Sequence, residues 1–228
     1  AWQNLVNILT HEIMNSIAPI SSLAGTLKGE LEQKQEQKEG LIPADMEDFM
    51  LGIQTIEKRS EGLISFVSDF RSLAHVPAPK FGSIPLTSLF DQLELLLQHQ
   101  LESQGIQLHK ELQPRELVLF GDQTQIEQVL INLMHNAIQA LEDAPQKEIN
   151  LKGFIDEAGK IIVEVSDTGK GIEEEALGKI FIPFFTTKQK GSGIGLSLSK
   201  QIMRRHKGNI QVRSELGQGT TVKLIFNG

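Results

Sequence analysis

Asn132 and Asn136 stand four residues apart in an apolar-periodic segment, so a helix there puts both side chains on one face. Ile126, Val129, Leu130, Leu133 and Ala137 supply apolar neighbours, and two amide oxygens on one face can serve a magnesium ion and its phosphate oxygens. Either asparagine alone reads as a surface residue or a helix-interior hydrogen bonder. Downstream, Asp167, Thr168, Gly169, Lys170 and Gly171 follow the β-patterned run 161–165. Such a turn can set a carboxylate against an adenine amino group while glycines let the backbone approach the ring, although alone it is equally an Asp-Gly turn.

Phe181, Phe184 and Phe185 place three of the eleven phenylalanines within five positions, ahead of Thr186, Thr187 and Lys188. They form either an exposed latch or a core-filling turn. Gly191, Ser192, Gly193, Ile194 and Gly195 then open a helix whose first N–H groups can hold phosphate. Far upstream, His11, Glu12 and Asn15 form an H-E-x-x-N string with Asn15 one turn beyond the histidine. An imidazole is nucleophilic near neutral pH, and a neighbouring carboxylate can take the proton of its other nitrogen. A lone histidine of this kind reads as solvated surface.

The elements that must position these residues fall into two halves. Val6, Thr10, Ile13, Ile17, Ile20, Ala24, Leu27 and Leu31 step by four and three, as do Met46, Phe49, Ile53, Ile56, Ser60, Leu63, Val67, Phe70 and Ala74. These predict two long helices joined across a charged Gln-rich stretch, with Asp45 as N-cap of the second. One narrow seam per helix cannot enclose a core, so the hairpin is expected to form a homodimeric four-helix bundle. His11, Glu12 and Asn15 lie off that seam. Pro77 and Pro79 end the pattern, which sets the expected domains at 1–76 and 77–228. Beyond them, helices are expected near 87–103, 122–141 and 195–206, and strands near 106–110, 117–120, 148–155, 160–166, 209–214 and 220–226. This order predicts helices on one face of a mostly antiparallel sheet, and the whole chain is an α+β multidomain protein.

The 228 residues carry a formal charge of -7 with both signs interspersed, which excludes a basic stripe for nucleic acid. No apolar run approaches the roughly 18 to 20 residues of a spanning helix, so no membrane contact is expected of this fragment. The absence of cysteine excludes disulfides and thiolate metal sites. A start at Ala1 inside an apolar-periodic segment reads as a fragment with a missing upstream part.

Taken as a set, the four downstream segments resemble the N, G1, F and G2 boxes of the histidine-kinase ATP-binding domain. Gly217, Gln218, Gly219 and Thr220 resemble its terminal glycine motif. The resemblance implies an α/β sandwich of the histidine-kinase/gyrase-type ATPase fold, with ATP and Mg2+ bound. Asn132 and Asn136 would bind the metal and nucleotide, Asp167 would read adenine, and Gly169, Gly171 and Ile172 would shape its pocket. Gly191, Gly193, Ile194, Gly195 and Leu196 would form the mobile lid, with Phe184, Thr187, Lys188 and Thr220 also at the nucleotide. Beside such a site, His11-Glu12 followed by Asn15 resembles the family's phosphoacceptor box. That implies autophosphorylation of His11, transfer to an aspartate of a response regulator, and an Asn15-assisted phosphatase activity. It also implies a cytoplasmic fragment, and leaves open inner-membrane anchoring of the full-length protein.

Two departures bear on this. Many members have proline five residues after the histidine, whereas Pro19 comes eight after, moving the kink about one turn. Many carry a Lys and an aromatic where this chain has Gln139 and Ala140, so His135 or Lys188 is expected to supply the phosphate cation. Both departures are similar to the nitrogen-regulatory branch. Two rival readings remain. Related gyrase, mismatch-repair and chaperone ATPases carry a water-activating glutamate where Asn132 stands, and an amide cannot accept that proton. A partner-binding scaffold with a degenerate nucleotide fold is the other. The remaining histidines, His75, His99, His109 and His206, lack metal-ligand spacing and are expected at surfaces or interfaces.

Overall fold

In the computed structural model of the chain, residues 2–36, 43–188 and 191–227 are described, with the side chains up to residue 12 outside the described set. The chain divides into two compact units, Ala1–Ser72 and Leu73–Gly228.

The first unit is a pair of helices, α1 (Trp2–Glu36) and α2 (Pro43–Ala74). Pro43, not Asp45, opens α2: proline suits a first turn, where its missing N–H has no intrahelical partner. Pro19 sits inside an uninterrupted α1. The helices approach closely where Gly52 faces Leu27; a Cβ at Gly52 would lie 2.9 Å from Leu27 Cδ1. Phe49 is buried, and Ile13, Ile20, Ile56, Leu63, Phe66 and Phe70 are half-buried. The expected seam is only partly covered by the hairpin, since Ile17, Leu31, Met46, Ile53 and Val67 are all exposed. A bundle helix carries an apolar stripe wider than one neighbour can cover.

The second unit contains β1 (Gly82–Pro85), α3 (Leu86–Gln104), β2 (Gln107–Gln113), β3 (Val118–Gly121), α4 (Gln123–Ala140), β4 (Glu148–Ile155) and β5 (Ile161–Asp167). It continues with α5 (Glu174–Leu177), α6 (Gly195–Arg205), β6 (Asn209–Glu215) and β7 (Gly219–Phe226). The main sheet has the order β2-β4-β5-β7-β6, antiparallel except for the β2–β4 pair. The expected strand near 117–120 does not join it, and pairs instead with β1 in a separate two-stranded sheet.

Strand alternation turns Ile149, Leu151, Val163, Val165 and Leu224 inward. Against them pack Ile126, Val129, Leu130, Leu133, Met134 and Ile138 of α4 with Ile202 and Met203 of α6. The helix stripe and the strand faces thus share one core, the α/β sandwich expected. The opposite sheet face carries the apolar row Phe154, Ile162 and Ile225 beside cross-strand ion pairs, Lys152–Glu111 at 2.9 Å and Lys223–Glu164 at 3.0 Å.

The start of α4 is fixed by Asp122, whose carboxylate accepts from Gln125 N at 3.1 Å and from Lys80 N at 2.7 Å. His206 corrects the surface reading given to it above. It is 6% exposed, its Nε2 accepts the Asp122 N–H at 3.0 Å, and its Nδ1 lies 2.9 Å from Ile202 O.

Candidate functional site

A cleft of about 310 Å³ opens between α4, the end of β5 and the segment leading into α6. Helix α4 delivers Asn132 and Asn136 to it because both lie on the face opposite Ile126 and Met134, which the core buries completely. Asn132 Nδ2 donates to Ser199 Oγ at 3.0 Å, leaving its carbonyl oxygen toward Gly195. Asn136 Oδ1 accepts from Lys188 Nζ at 2.7 Å, and the same ammonium donates to Gln139 Oε1 at 2.7 Å.

Asp167 closes β5 and accepts from Gly169 N at 2.9 Å. Burial pushes its carboxyl above the ordinary carboxylate range, against the pull of the Gly169 and Thr220 N–H groups and the Lys188 charge. Lys188 is shifted the other way: burial, then the Lys170 charge, hold its ammonium below the ordinary lysine value, opposed by Asp167 and Glu142. Ser214 ties the floor together, accepting from Ile172 N and donating to Gly219 O, each at 2.8 Å.

Backbone forms much of the wall. Gly171, at φ 71°, lies against the Glu215 carbonyl, and Gly219, at φ 101°, against the Asp167 carbonyl. Gly193, at φ 68°, is held by the bond from Phe184 N to its carbonyl at 3.0 Å. A Cβ at any of the three would collide with main chain. A purine ring and a metal-bound phosphate chain fit this donor set: a half-buried carboxylate at a backbone-walled end, and amide oxygens already holding a cation at the other.

Of the site residues expected from sequence, Asn132, His135, Asn136, Asp167, Gly171 and Ile172 line this cleft, as do Thr187, Lys188, Gly191, Gly193, Gly195, Leu196 and Thr220. Three do not. Gly169 is buried behind the wall, where a Cβ would lie 2.6 Å from the Ala140 carbonyl. Ile194 is 3% exposed and packs inward. Phe184 is a positive-φ corner that supports Gly193 from outside the cleft. The exposed-latch reading of the phenylalanines is corrected: Phe181, Phe184 and Phe185 are half-buried, Lys200 lies 4.5 Å over the Phe181 ring, and it is Ile182 that is exposed.

Asn15 is exposed on α1, while the side chains of His11 and Glu12 lie outside the described residues. Lining residues not anticipated include Gln139, Lys170, Ala176, Ile180 and Phe185. Gln139 was findable, one turn past Asn136 on the same face. Of the apolar wall, Ala176 belongs to a helix of four residues and Ile180 to the turn after it, too short a stretch to leave a periodic signal.

Residues 121–227 match the family described as histidine kinase-, DNA gyrase B- and HSP90-like ATPase. The chain is similar to sensor histidine kinase ZraS of Escherichia coli strain K12, 32% identical over 216 residues, covering 95% of this chain and 43% of that protein. Among solved structures, the catalytic domain of histidine kinase ThkA is 33% identical with a TM-score of 0.58, covering 64% of this chain and 95% of that domain. ThkA in complex with response regulator protein TrrA matches with a TM-score of 0.65 at 24% identity, covering 98% of this chain and 63% of that one. The chain spans less than half the length of the curated relatives it matches.

Proposed function

Since this chain belongs to the sensor histidine kinase family, we propose that it transfers the γ-phosphoryl group of ATP to His11 and then to an aspartate of a response regulator. The second unit has the ATPase fold of that family. The observation that carries the reading is the make-up of the cleft: Asp167 is the one carboxylate among its described lining residues, and an amide occupies position 132. Asp167 closes β5 and bonds to Gly169 N, a place suited to reading adenine. The asparagine face therefore lacks a group that could take a proton from water, and the phosphoryl acceptor must be supplied from elsewhere.

His11 of α1 is that acceptor. The lone pair of one imidazole nitrogen forms the N–P bond, the bond to the β,γ-bridging oxygen breaks with its electrons going to ADP, and Glu12 takes the proton from the other ring nitrogen. Asn132 and Asn136 would hold magnesium, which when bound neutralises charge on the phosphates. The first N–H groups of α6, behind Gly193 and Gly195, face the same phosphates. The phosphoramidate passes its phosphoryl group to a receiver carboxylate. ThkA, whose fold this chain shares, forms a complex with response regulator TrrA, which supports that class of partner. Asn15, one turn beyond His11, orients water for the reverse hydrolysis.

Residues 1–76 serve dimerisation and phosphotransfer, and 77–228 bind ATP. The exposed apolar residues of the hairpin support a homodimeric four-helix bundle. The substitutions at Gln139 and Ala140 support the nitrogen-regulatory branch. No described helix is long and apolar enough to cross a membrane, which accords with a cytoplasmic fragment. Incubation with labelled ATP tests the reaction: acid-labile, base-stable label on wild type that vanishes in His11→Gln is expected. Release of free phosphate alone would make the chain an ATPase, and neither product would make it a binding scaffold.

A further inference from the structure

Lys188 spans the cleft to α4, where its ammonium donates to Asn136 Oδ1 and Gln139 Oε1, both at 2.7 Å. The two acceptors are three residues apart on one helix face and form a two-pronged seat for a single cation. Among the described residues two other basic groups line the cleft, His135 and Lys170, and both are exposed. Lys188 is half-buried and reaches the asparagine face. Asn136 Oδ1 is also the oxygen assigned above to magnesium, so the ammonium now holds a metal-ligand position. Gln139 has to be neutral, because a second cation there would repel Lys188 within the same seat.

Resting on the nucleotide-binding reading of this cleft, we propose that Lys188 is the phosphate-binding cation and Gln139 its positioning residue. Without nucleotide, the pair parks the ammonium on Asn136. When the metal-bound triphosphate arrives, Asn136 exchanges the ammonium for the metal. Gln139 keeps the ammonium beside the phosphates, within reach of the flexible four-carbon stem. One charge is thus used twice, first to satisfy a half-buried amide oxygen and then to neutralise substrate.

Calorimetric titration of the whole chain with AMP and with a non-hydrolysable ATP analogue, magnesium present, tests this. Lys188→Gln is expected to bind the triphosphate about tenfold more weakly, the size of one charged hydrogen bond, while AMP loses less and an unchanged circular dichroism spectrum certifies the fold. Gln139→Lys should also weaken triphosphate binding. The exchanged pair Lys188→Gln/Gln139→Lys, which puts an ammonium and an amide back across the same bond, should regain most of the loss. In the nucleotide-free chain, Lys188→Gln should also shift the Asn136 side-chain amide resonance. Triphosphate affinity unchanged in Lys188→Gln, or an exchanged pair no tighter than the single variants, would overturn the assignment. If wild type binds neither ligand, the nucleotide-binding reading itself falls.

Discussion

Asn132 on α4 donates to Ser199 Oγ on α6 at 3.0 Å, and the Ser199 hydroxyl in turn donates to the Gly195 carbonyl at 2.9 Å. The helix that carries Asn132 and Asn136 is therefore fastened to the first turn of α6, whose N–H groups are proposed above to face the phosphates. Ser199 is 1% exposed, so no water replaces it. Ser199→Ala is expected to cost about 1 kcal/mol of stability, the worth of one such bond. Affinity for an ATP analogue should fall about fivefold, measured by thermal denaturation and calorimetry on the same sample.

Gly195→Ala attacks the same junction from the other side. A Cβ there would run into Asn132 Oδ1, and the amide must turn away from the cleft. Nucleotide binding should fall by at least about tenfold, while circular dichroism stays that of wild type.

Asp167 has a raised pKa in the fold, chiefly from burial. The folded state thus binds its proton more tightly than the unfolded chain does, so keeping the carboxylate ionised destabilises the fold above the raised pKa, and that penalty disappears as pH falls below the unfolded value near 3.9. Asp167→Asn keeps an oxygen for Gly169 N–H and removes the buried charge. It should melt higher than wild type at pH 7 without nucleotide, by a margin that closes on acidification. Binding runs the opposite way: wild-type affinity for ATP should weaken as pH falls through the raised pKa of Asp167, and the variant should bind poorly throughout. A variant that melts lower than wild type at pH 7 would contradict this.

At the other end of α4, Asp122 has a depressed pKa, set first by the Lys80 N–H and then by Gln125 N–H, against desolvation. Its stabilisation is present above the unfolded pKa near 3.9 and lost as pH falls through the lower folded value. Asp122→Ala should cost about 1 to 2 kcal/mol at pH 7, as for loss of a helix cap. Urea denaturation at pH 7 and pH 3 should show the difference between variant and wild type shrinking in acid.

On α2, Ile53 and Val67 are 53% and 45% exposed on the isolated hairpin. If a second copy covers them, Ile53→Glu/Val67→Glu should sediment as a monomer at concentrations where wild type is dimeric, and AMP binding by the second unit should be unaffected.

The elements most legible in the sequence were those whose signal is repeated. Helix α4 shows it over five turns, and the ends of β5 and α6 are marked by glycines that only a positive φ or a close approach explains. Strand β1 failed that test: four residues ending in Pro85 give no period to read. The strand expected near 117–120 is present as β3, but its partner was not legible, because 32 residues of chain separate β1 from β3 and their pairing runs from Gly82↔Gly121 to Pro85↔Val118. His206 was misread because nothing local says that an imidazole will meet the Asp122 N–H; that bond joins residues 84 apart. Lys188 was visible as a cation, but its seat was not, since Gln139 and Asn136 lie 49 and 52 positions away.

Gly171 and Gly193 face the cleft with main chain and Gly219 is packed behind it against Asp167, each at a torsion and a spacing that no side chain tolerates. An inhibitor moulded to that surface would press on atoms that codon changes do not alter. On the proposed nucleotide reading, replacing any of the three glycines to evict the drug would also shut out the nucleotide, so escape by point mutation has to begin elsewhere, among residues such as Ile172, Ile180 or Thr187 that line the cleft.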